Sequence, residues 1–105
     1  MELRRHHRVP FTETVVFQKK GSEARAQGQS TDISLGGMYI ETKEPQAFGT
    51  EVLLHVHVPG EPAAFVLPAI VRWTAPDGMG VQFGNLGARE THTITELVAD
   101  YEKED

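Results

Sequence analysis

The sequence predicts a mainly β protein, a small antiparallel barrel of short strands followed by one C-terminal α-helix. Large apolar residues recur at every second position in two stretches, 52–58 and 65–73, which is the period of a half-buried strand. Ten glycines and six prolines divide the chain into short segments, as turns between strands do. After Ala88 the apolar spacing becomes that of an amphipathic helix. Such a succession suggests a barrel with the helix packed over one end or flank.

The first half of the chain predicts a series of short strands. β-Branched and aromatic residues within 9–18 indicate the first strand, and a polar turn follows at 19–22. Residues 23–31 are small and polar, with only alternating alanines to indicate a strand, so we expect one exposed face there. A turn-forming segment at 32–37 then leads into a short strand at 38–42.

The strands of the second half carry stronger signals. In residues 52–58 the even positions are apolar, and His55 and His57 share the opposite face. The two histidines lack an obvious third ligand, so we expect no metal site. Within the next strand, 65–73, Pro68 indicates an edge position or a bulge.

The chain ends with a turn, a last strand and the helix. The turn at 75–78 contains proline, aspartate and glycine, and the strand is predicted at 80–83. The helix is predicted at about residues 88–103, where apolar residues follow the i, i+3, i+4, i+7 spacing at Ile94, Leu97, Val98 and Tyr101.

Length and composition limit the possible classes of function. A chain of 105 residues forms one domain with a modest core. The absence of cysteine excludes disulfides, thiolate metal sites and cysteine nucleophiles. A net charge of -5 argues against a nucleic-acid polymer as partner. No apolar run reaches the roughly 18 residues that span a bilayer, and no apolar secretory segment begins the chain. We therefore expect a cytoplasmic protein without membrane insertion.

A basic cluster near the N-terminus, Arg4-Arg5-His6-His7-Arg8, contrasts with this acidic composition. Guanidinium groups bind phosphate oxygens in pairs and also stack on flat bases. Because Arg4 and Arg8 are four positions apart, they suit the two ends of one compact dianion. The cluster therefore indicates a nucleotide ligand, and a solvated basic terminus is the alternative.

A second segment, Asp32-x-Ser34-x-x-Gly37, complements the cluster. The aspartate can accept hydrogen bonds from the paired N–H donors of a guanine edge, and the serine adds an adaptable hydroxyl. Gly37 permits close backbone approach or a positive φ. The alternative is an Asx-type turn that only joins two strands.

Together, Arg4-x-x-x-Arg8 and Asp32-x-Ser34-x-x-Gly37 resemble the paired motifs of the PilZ domain family. The likeness covers nearly the whole chain, including the late strands at 70–73 and 78–83. It implies a six-stranded antiparallel β-barrel of the split-barrel type with a C-terminal helix. It also implies a module that binds the bacterial second messenger cyclic di-GMP. The segment around Ser34 lacks the first glycine of a nucleophile elbow, so we expect no catalytic residues, and we expect no cofactor.

The resemblance further implies a role for each motif residue. Arg4 and Arg8 would hold phosphate and stack on or bond to guanine. Asp32 and Ser34 would contact a guanine edge, and Gly37 would allow a close turn.

Three more residues are candidates for the same site. Arg5 is either a supplementary phosphate contact or solvated, and Gly36 lies within the second motif. Trp73 is either an apolar wall of the site or part of the barrel core, because it completes the inward alternation of residues 65–73.

These inferences predict a cyclic di-GMP receptor that acts as an adaptor. Residues 1–8 would form a flexible basic arm that orders on nucleotide binding, and residues 9–105 would form the barrel and helix. Since three residues precede Arg4, we expect a stand-alone member whose bound state is recognised by a partner protein, in motility or surface behaviour. We expect a monomer or weak dimer. The alternative is an interaction module in pilus or motility regulation that does not bind the nucleotide.

Overall fold

Seven β-strands precede one α-helix in the computed structural model, which describes residues 8–103. The elements are β1 Val9–Pro10, β2 Thr14–Lys19, β3 Arg25–Ile33, β4 Gly37–Glu41, β5 Glu51–Val56, β6 Phe65–Ala75, β7 Gly78–Phe83 and α1 Ala88–Lys103.

Six of these strands close into one antiparallel barrel. Its order is β3-β2-β5-β6-β7-β4, and β4 pairs again with β3 to complete the circle. The short strand β1 is an addition that pairs with the end of β3. The predicted fold class, a six-stranded antiparallel barrel with a C-terminal helix, is therefore confirmed. Closure leaves the six strands without an open edge that a second chain could extend.

The barrel interior is filled by the apolar residues that recur at every second strand position. The even positions of the predicted 52–58 strand are all buried, as are the odd positions from Phe65 to Val71. From α1, Ile94 is 1% exposed, and Leu97 and Val98 pack partly against the core. Tyr101 remains 40% exposed, so the helix buries only the first part of its predicted apolar stripe. Within the described residues, the helix is not long and apolar enough to cross a membrane.

The single strand predicted at 9–18 is instead divided into β1 and β2. Both parts pair with β3, but the stretch that joins β1 to β2 is one residue longer than the stretch of β3 that lies opposite it. The buried hydroxyl of Ser30 fills this irregularity, donating to the Phe11 carbonyl at 2.6 Å and accepting from the Glu13 amide at 2.9 Å. The side chain thus replaces backbone hydrogen bonds that the extra residue interrupts.

Pro68 lies at a local edge of the sheet, which is one of the two predicted alternatives. It pairs with Leu53 of β5, but the pairing of β6 with β7 begins only at Ala69. Its carbonyl accepts from the amide of Gly84, one residue beyond the end of β7. Since the amide and carbonyl of a strand residue face the same neighbour, the missing amide hydrogen of Pro68 faces a side where β7 has already ended.

Candidate functional site

The second motif occupies the end of β3 and the tight turn into β4. Asp32 is a residue of β3, not of the predicted turn, and the turn itself is limited to residues 34–36. The Ser34 amide donates to the Gly37 carbonyl at 2.9 Å, and the Ser34 hydroxyl accepts from the Gly36 amide at 3.1 Å. Ser34 is only 3% exposed. Its side chain therefore stabilises the turn from within.

Gly37 provides a close approach between two strands. A Cβ atom at this position would overlap the carbonyl oxygen of Val81 on β7. Gly37 is not among the glycines with positive φ, so of the two properties expected of it only the close approach is present. Gly36 contributes a further link, because its carbonyl accepts from the Phe83 amide at 2.8 Å. These contacts tie the motif turn to the end of β7.

Arg8 brings the first motif into contact with the second. It precedes β1, and the pairing of Val9 with Ile33 places it beside β3. Its Nη1 donates to Asp32 Oδ1 at 2.6 Å, between side chains that are each about one third exposed. Two segments separated by 24 positions in the sequence therefore meet. Arg4 and Arg5, the other arginines of the predicted arm, lie outside the described residues.

Trp73 lies on the outer face of the barrel, so of the two alternatives for this residue the barrel core is the one that the structure contradicts. The register between β6 and β7 shifts at Arg72, which is an extra residue between the pairs Val71–Val81 and Trp73–Gly80. Val71 is fully buried, but Trp73 is 58% exposed. A bulge of this kind reverses the alternation that follows it, and the sequence pattern alone does not reveal it.

An aromatic pair results from this change of direction. Gly80 on β7 lies between Trp73 on β6 and Tyr39 on β4, because it pairs with both. With no side chain at Gly80, the two rings approach to 5.4 Å between centroids at an angle of 47°. A Cβ at Gly78 would overlap the Tyr39 hydroxyl. Tyr39 was missed in the sequence, and the two glycines of the last strand are the signal that an aromatic ring lies across it.

The Tyr39 phenol is a neutral hydrogen-bond donor at physiological pH. Burial raises the pKa of the Tyr39 phenol above its ordinary value of 10.0, and the carboxylates of Asp77 and Glu41 act in the same direction. Its backbone also serves the site, because the Tyr39 amide donates to Asp32 Oδ1 at 3.3 Å. Tyr39 therefore helps to hold the carboxylate that Arg8 contacts.

These residues surround an open pocket of about 760 Å³ on the outer face of the barrel. A volume of this size suits a small-molecule ligand. The pocket contains arginines, a carboxylate and aromatic faces, which together match a phosphate-bearing ligand with planar bases. Gly37 does not line it. Its lining is formed by Arg8, Thr31, Asp32, Ser34, Gly36, Tyr39, Arg72, Trp73, Gly80, Val81 and Gln82.

The two histidines of β5 and the following loop lie away from this pocket. His55 Nε2 is 3.1 Å from Gln18 Oε1, and His57 is exposed. Within residues 8–103 no cluster of His, Asp and Glu is arranged to hold a metal ion.

Several solved structures share this fold. The PilZ domain of CeSA from a cellulose-synthesizing bacterium superimposes with a TM-score of 0.74 and 21% identity, covering 91% of this chain and 98% of its own. The PilZ domain of Escherichia coli YcgR with c-di-GMP has a TM-score of 0.76 and 15% identity, covering 98% and 94%. The Bacillus subtilis inhibitor of motility, MotI/DgrA, has a TM-score of 0.78 and 18% identity, covering all of this chain and 53% of its own.

Sequence comparison gives the same assignment. No curated protein matches this chain significantly. The sequence profile described as the PilZ domain, however, matches residues 2–100, which is nearly the whole chain. The chain therefore belongs to the PilZ domain family.

Proposed function

We propose that this protein is a cyclic di-GMP receptor that binds the nucleotide in the pocket between Arg8 and Trp73. The observation that carries the proposal is the 2.6 Å contact between Arg8 and Asp32, because it joins the two motifs at one side of the pocket. The aromatic pair of Tyr39 and Trp73 lies across the same pocket. A cation, a carboxylate and an aromatic face therefore surround one volume, and each suits a different part of the dinucleotide.

The atoms that remain available support this assignment. Among residues 8–103, the contacts of Asp32 come from Arg8 and from the Tyr39 amide and use Oδ1, which leaves Oδ2 to accept from a guanine edge. Arg8 uses Nη1 for Asp32 and keeps further N–H groups for a phosphate oxygen. We assign Ser34 a positioning role as well as a ligand contact, because its hydroxyl already accepts from Gly36.

The position of Arg8 lowers the cost of binding. Strand β1 and the ion pair to Asp32 make Arg8 part of the folded barrel, so its ordering belongs to folding. Fixing a backbone residue costs about 1–2 kcal/mol, and a charge-assisted hydrogen bond contributes roughly 1.5–3 kcal/mol. Arg4 and Arg5 would add contacts from the arm, and the cost of ordering the arm backbone would then arise on binding. We expect a dissociation constant on the order of micromolar, which corresponds to a binding free energy of about -8 kcal/mol.

Two relatives support the choice of ligand. The YcgR domain of Escherichia coli was solved with c-di-GMP, and so was MrkH of K. pneumonia, which has a TM-score of 0.75 and 15% identity. The Bacillus subtilis relative is an inhibitor of motility, which supports an output in motility. We propose that a partner protein recognises the complex, and that the receptor is a cytoplasmic monomer or weak dimer.

Isothermal titration calorimetry with cyclic di-GMP tests the proposal. The wild-type protein should bind saturably, and Arg8→Ala should weaken binding at least about tenfold, roughly 1.4 kcal/mol. Arg25→Ala is the matched control, because Arg25 is exposed and lies seven residues from Asp32 along β3, about 23 Å. This control should bind like the wild type. A wild-type protein that gives no heat and no rise in melting temperature would instead favour the interaction module without nucleotide.

A further inference from the structure

We propose that Arg72 is a second phosphate-binding arginine of the pocket, contributed by the barrel itself and oriented by Gln82. The inference rests on the proposed function, because it names a further group for the same ligand. The paired motifs do not include Arg72, which belongs to the strand predicted at 65–73.

The β-bulge gives Arg72 its direction. In a regular strand, consecutive side chains point to opposite faces. Here Arg72 is the extra residue of the bulge, and both Arg72 and Trp73 are exposed on the outside of the barrel. Both also line the pocket. The cation is therefore adjacent to an aromatic surface on which a base can stack.

Arg72 and Arg8 lie on opposite sides of the pocket. Arg8 contacts β3, whereas Arg72 is on β6, and the strands β4 and β7 lie between them in the barrel order. Three strand spacings correspond to about 14 Å along the sheet. Two cations at this separation suit a ligand whose two phosphates belong to one ring.

Gln82 holds the guanidinium without neutralising it. Arg72 Nε donates to Gln82 Oε1 at 2.8 Å, which leaves the two Nη groups as a fork for phosphate oxygens. The charge of Arg8 is balanced by Asp32, but among the described residues no carboxylate forms an ion pair with Arg72. Arg72 is thus the source of uncompensated positive charge in the described part of the pocket.

Calorimetric titration with cyclic di-GMP at about 0.1 M and 1 M salt tests this role. Arg72→Gln should weaken binding about tenfold at the lower salt concentration. The difference should shrink at the higher concentration, because the screening length falls from about 10 Å to 3 Å. Arg25→Gln, an exposed arginine at the far end of β3, should change nothing.

Arg72→Lys separates ligand binding from a structural role. The lysine keeps a positive charge at the pocket but loses the planar fork and the Nε donor that contacts Gln82. If Arg72 binds phosphate, this variant should keep more affinity than Arg72→Gln; if Arg72 acts only by packing against Gln82, the two variants should bind equally. Melting temperatures should stay near the wild-type value in both variants, because Arg72 is exposed.

The outcomes distinguish this inference from the proposed function. A wild-type protein that binds, with equal affinity in Arg72→Gln and Arg72→Lys, overturns the role of Arg72 alone. A wild-type protein that does not bind the dinucleotide overturns both. A loss in Arg72→Gln that salt reduces and that Arg72→Lys partly restores supports the assignment.

Discussion

Replacing Gly37 by alanine tests whether the motif glycine is required by the barrel itself. The added methyl group would overlap the Val81 carbonyl oxygen, and it would lie 3.1 Å from the Val81 carbonyl carbon and 3.2 Å from Gln82 Cα. All three atoms belong to the backbone, so no flexible side chain can move to relieve the overlap. Strands β4 and β7 would have to separate where Gly37 pairs with Gln82.

The expected cost combines overpacking with weakened strand pairing. Overpacking costs about 1–3 kcal/mol, and a buried backbone group left without its hydrogen bond costs about 1–3 kcal/mol. We expect the free energy of unfolding to fall by about 2–6 kcal/mol. For a domain of this size that corresponds to a loss of about 10 °C or more in melting temperature. Urea denaturation gives the free energy, and thermal unfolding gives the temperature.

Gly84→Ala is the matched control. A Cβ at Gly84 would contact atoms of Pro68 at 3.6 Å, an ordinary packing distance. Its free energy of unfolding should stay within about 0.5 kcal/mol of the wild type. Equal stability of Gly37→Ala and the wild type, or equal losses in the two variants, would show that the strand approach does not explain Gly37.

Two further predictions concern the pocket and the barrel. Trp73 is the single tryptophan of the chain and lines the pocket, so its fluorescence should change on titration with cyclic di-GMP. Trp73→Ala should lower affinity about tenfold by calorimetry, at least 1 kcal/mol for a lost stacking contact, with little change in melting temperature. Unchanged affinity would remove Trp73 from the site. Ser30→Ala should lower the free energy of unfolding by about 1–3 kcal/mol in urea denaturation, because the Glu13 amide loses its buried acceptor; Ser22→Ala, which removes a more exposed hydroxyl, is the control.

The parts of the fold that could be predicted are those with a local signal. The alternation in residues 52–58 correctly identified the buried face of β5, because each side chain of a regular strand follows from its neighbour. The helical spacing identified Ala88–Lys103 for the same reason. The motif spacing also selected Arg8 and Asp32, which the structure brings to one pocket.

The two missed residues, Tyr39 and Arg72, share one cause, the pairing of one strand with another. Tyr39 and Trp73 approach only because Gly80 pairs between them. Arg72 enters the pocket only because of a bulge in the pairing of β6 with β7. Neither the approach of Tyr39 to Trp73 nor the bulge at Arg72 leaves a pattern within a single strand.

The sequence by itself determined the strand and helix periods, the family motifs and an acidic, cysteine-free composition. Those properties depend on neighbouring residues, so they are visible without coordinates. The tertiary structure decided which side chains face outward after each bulge, that Arg8 contacts Asp32, and that Tyr39 and Trp73 form one aromatic surface. The physical reason is that register is set by hydrogen bonds between strands, and a shift of one residue turns every following side chain to the other face of the sheet.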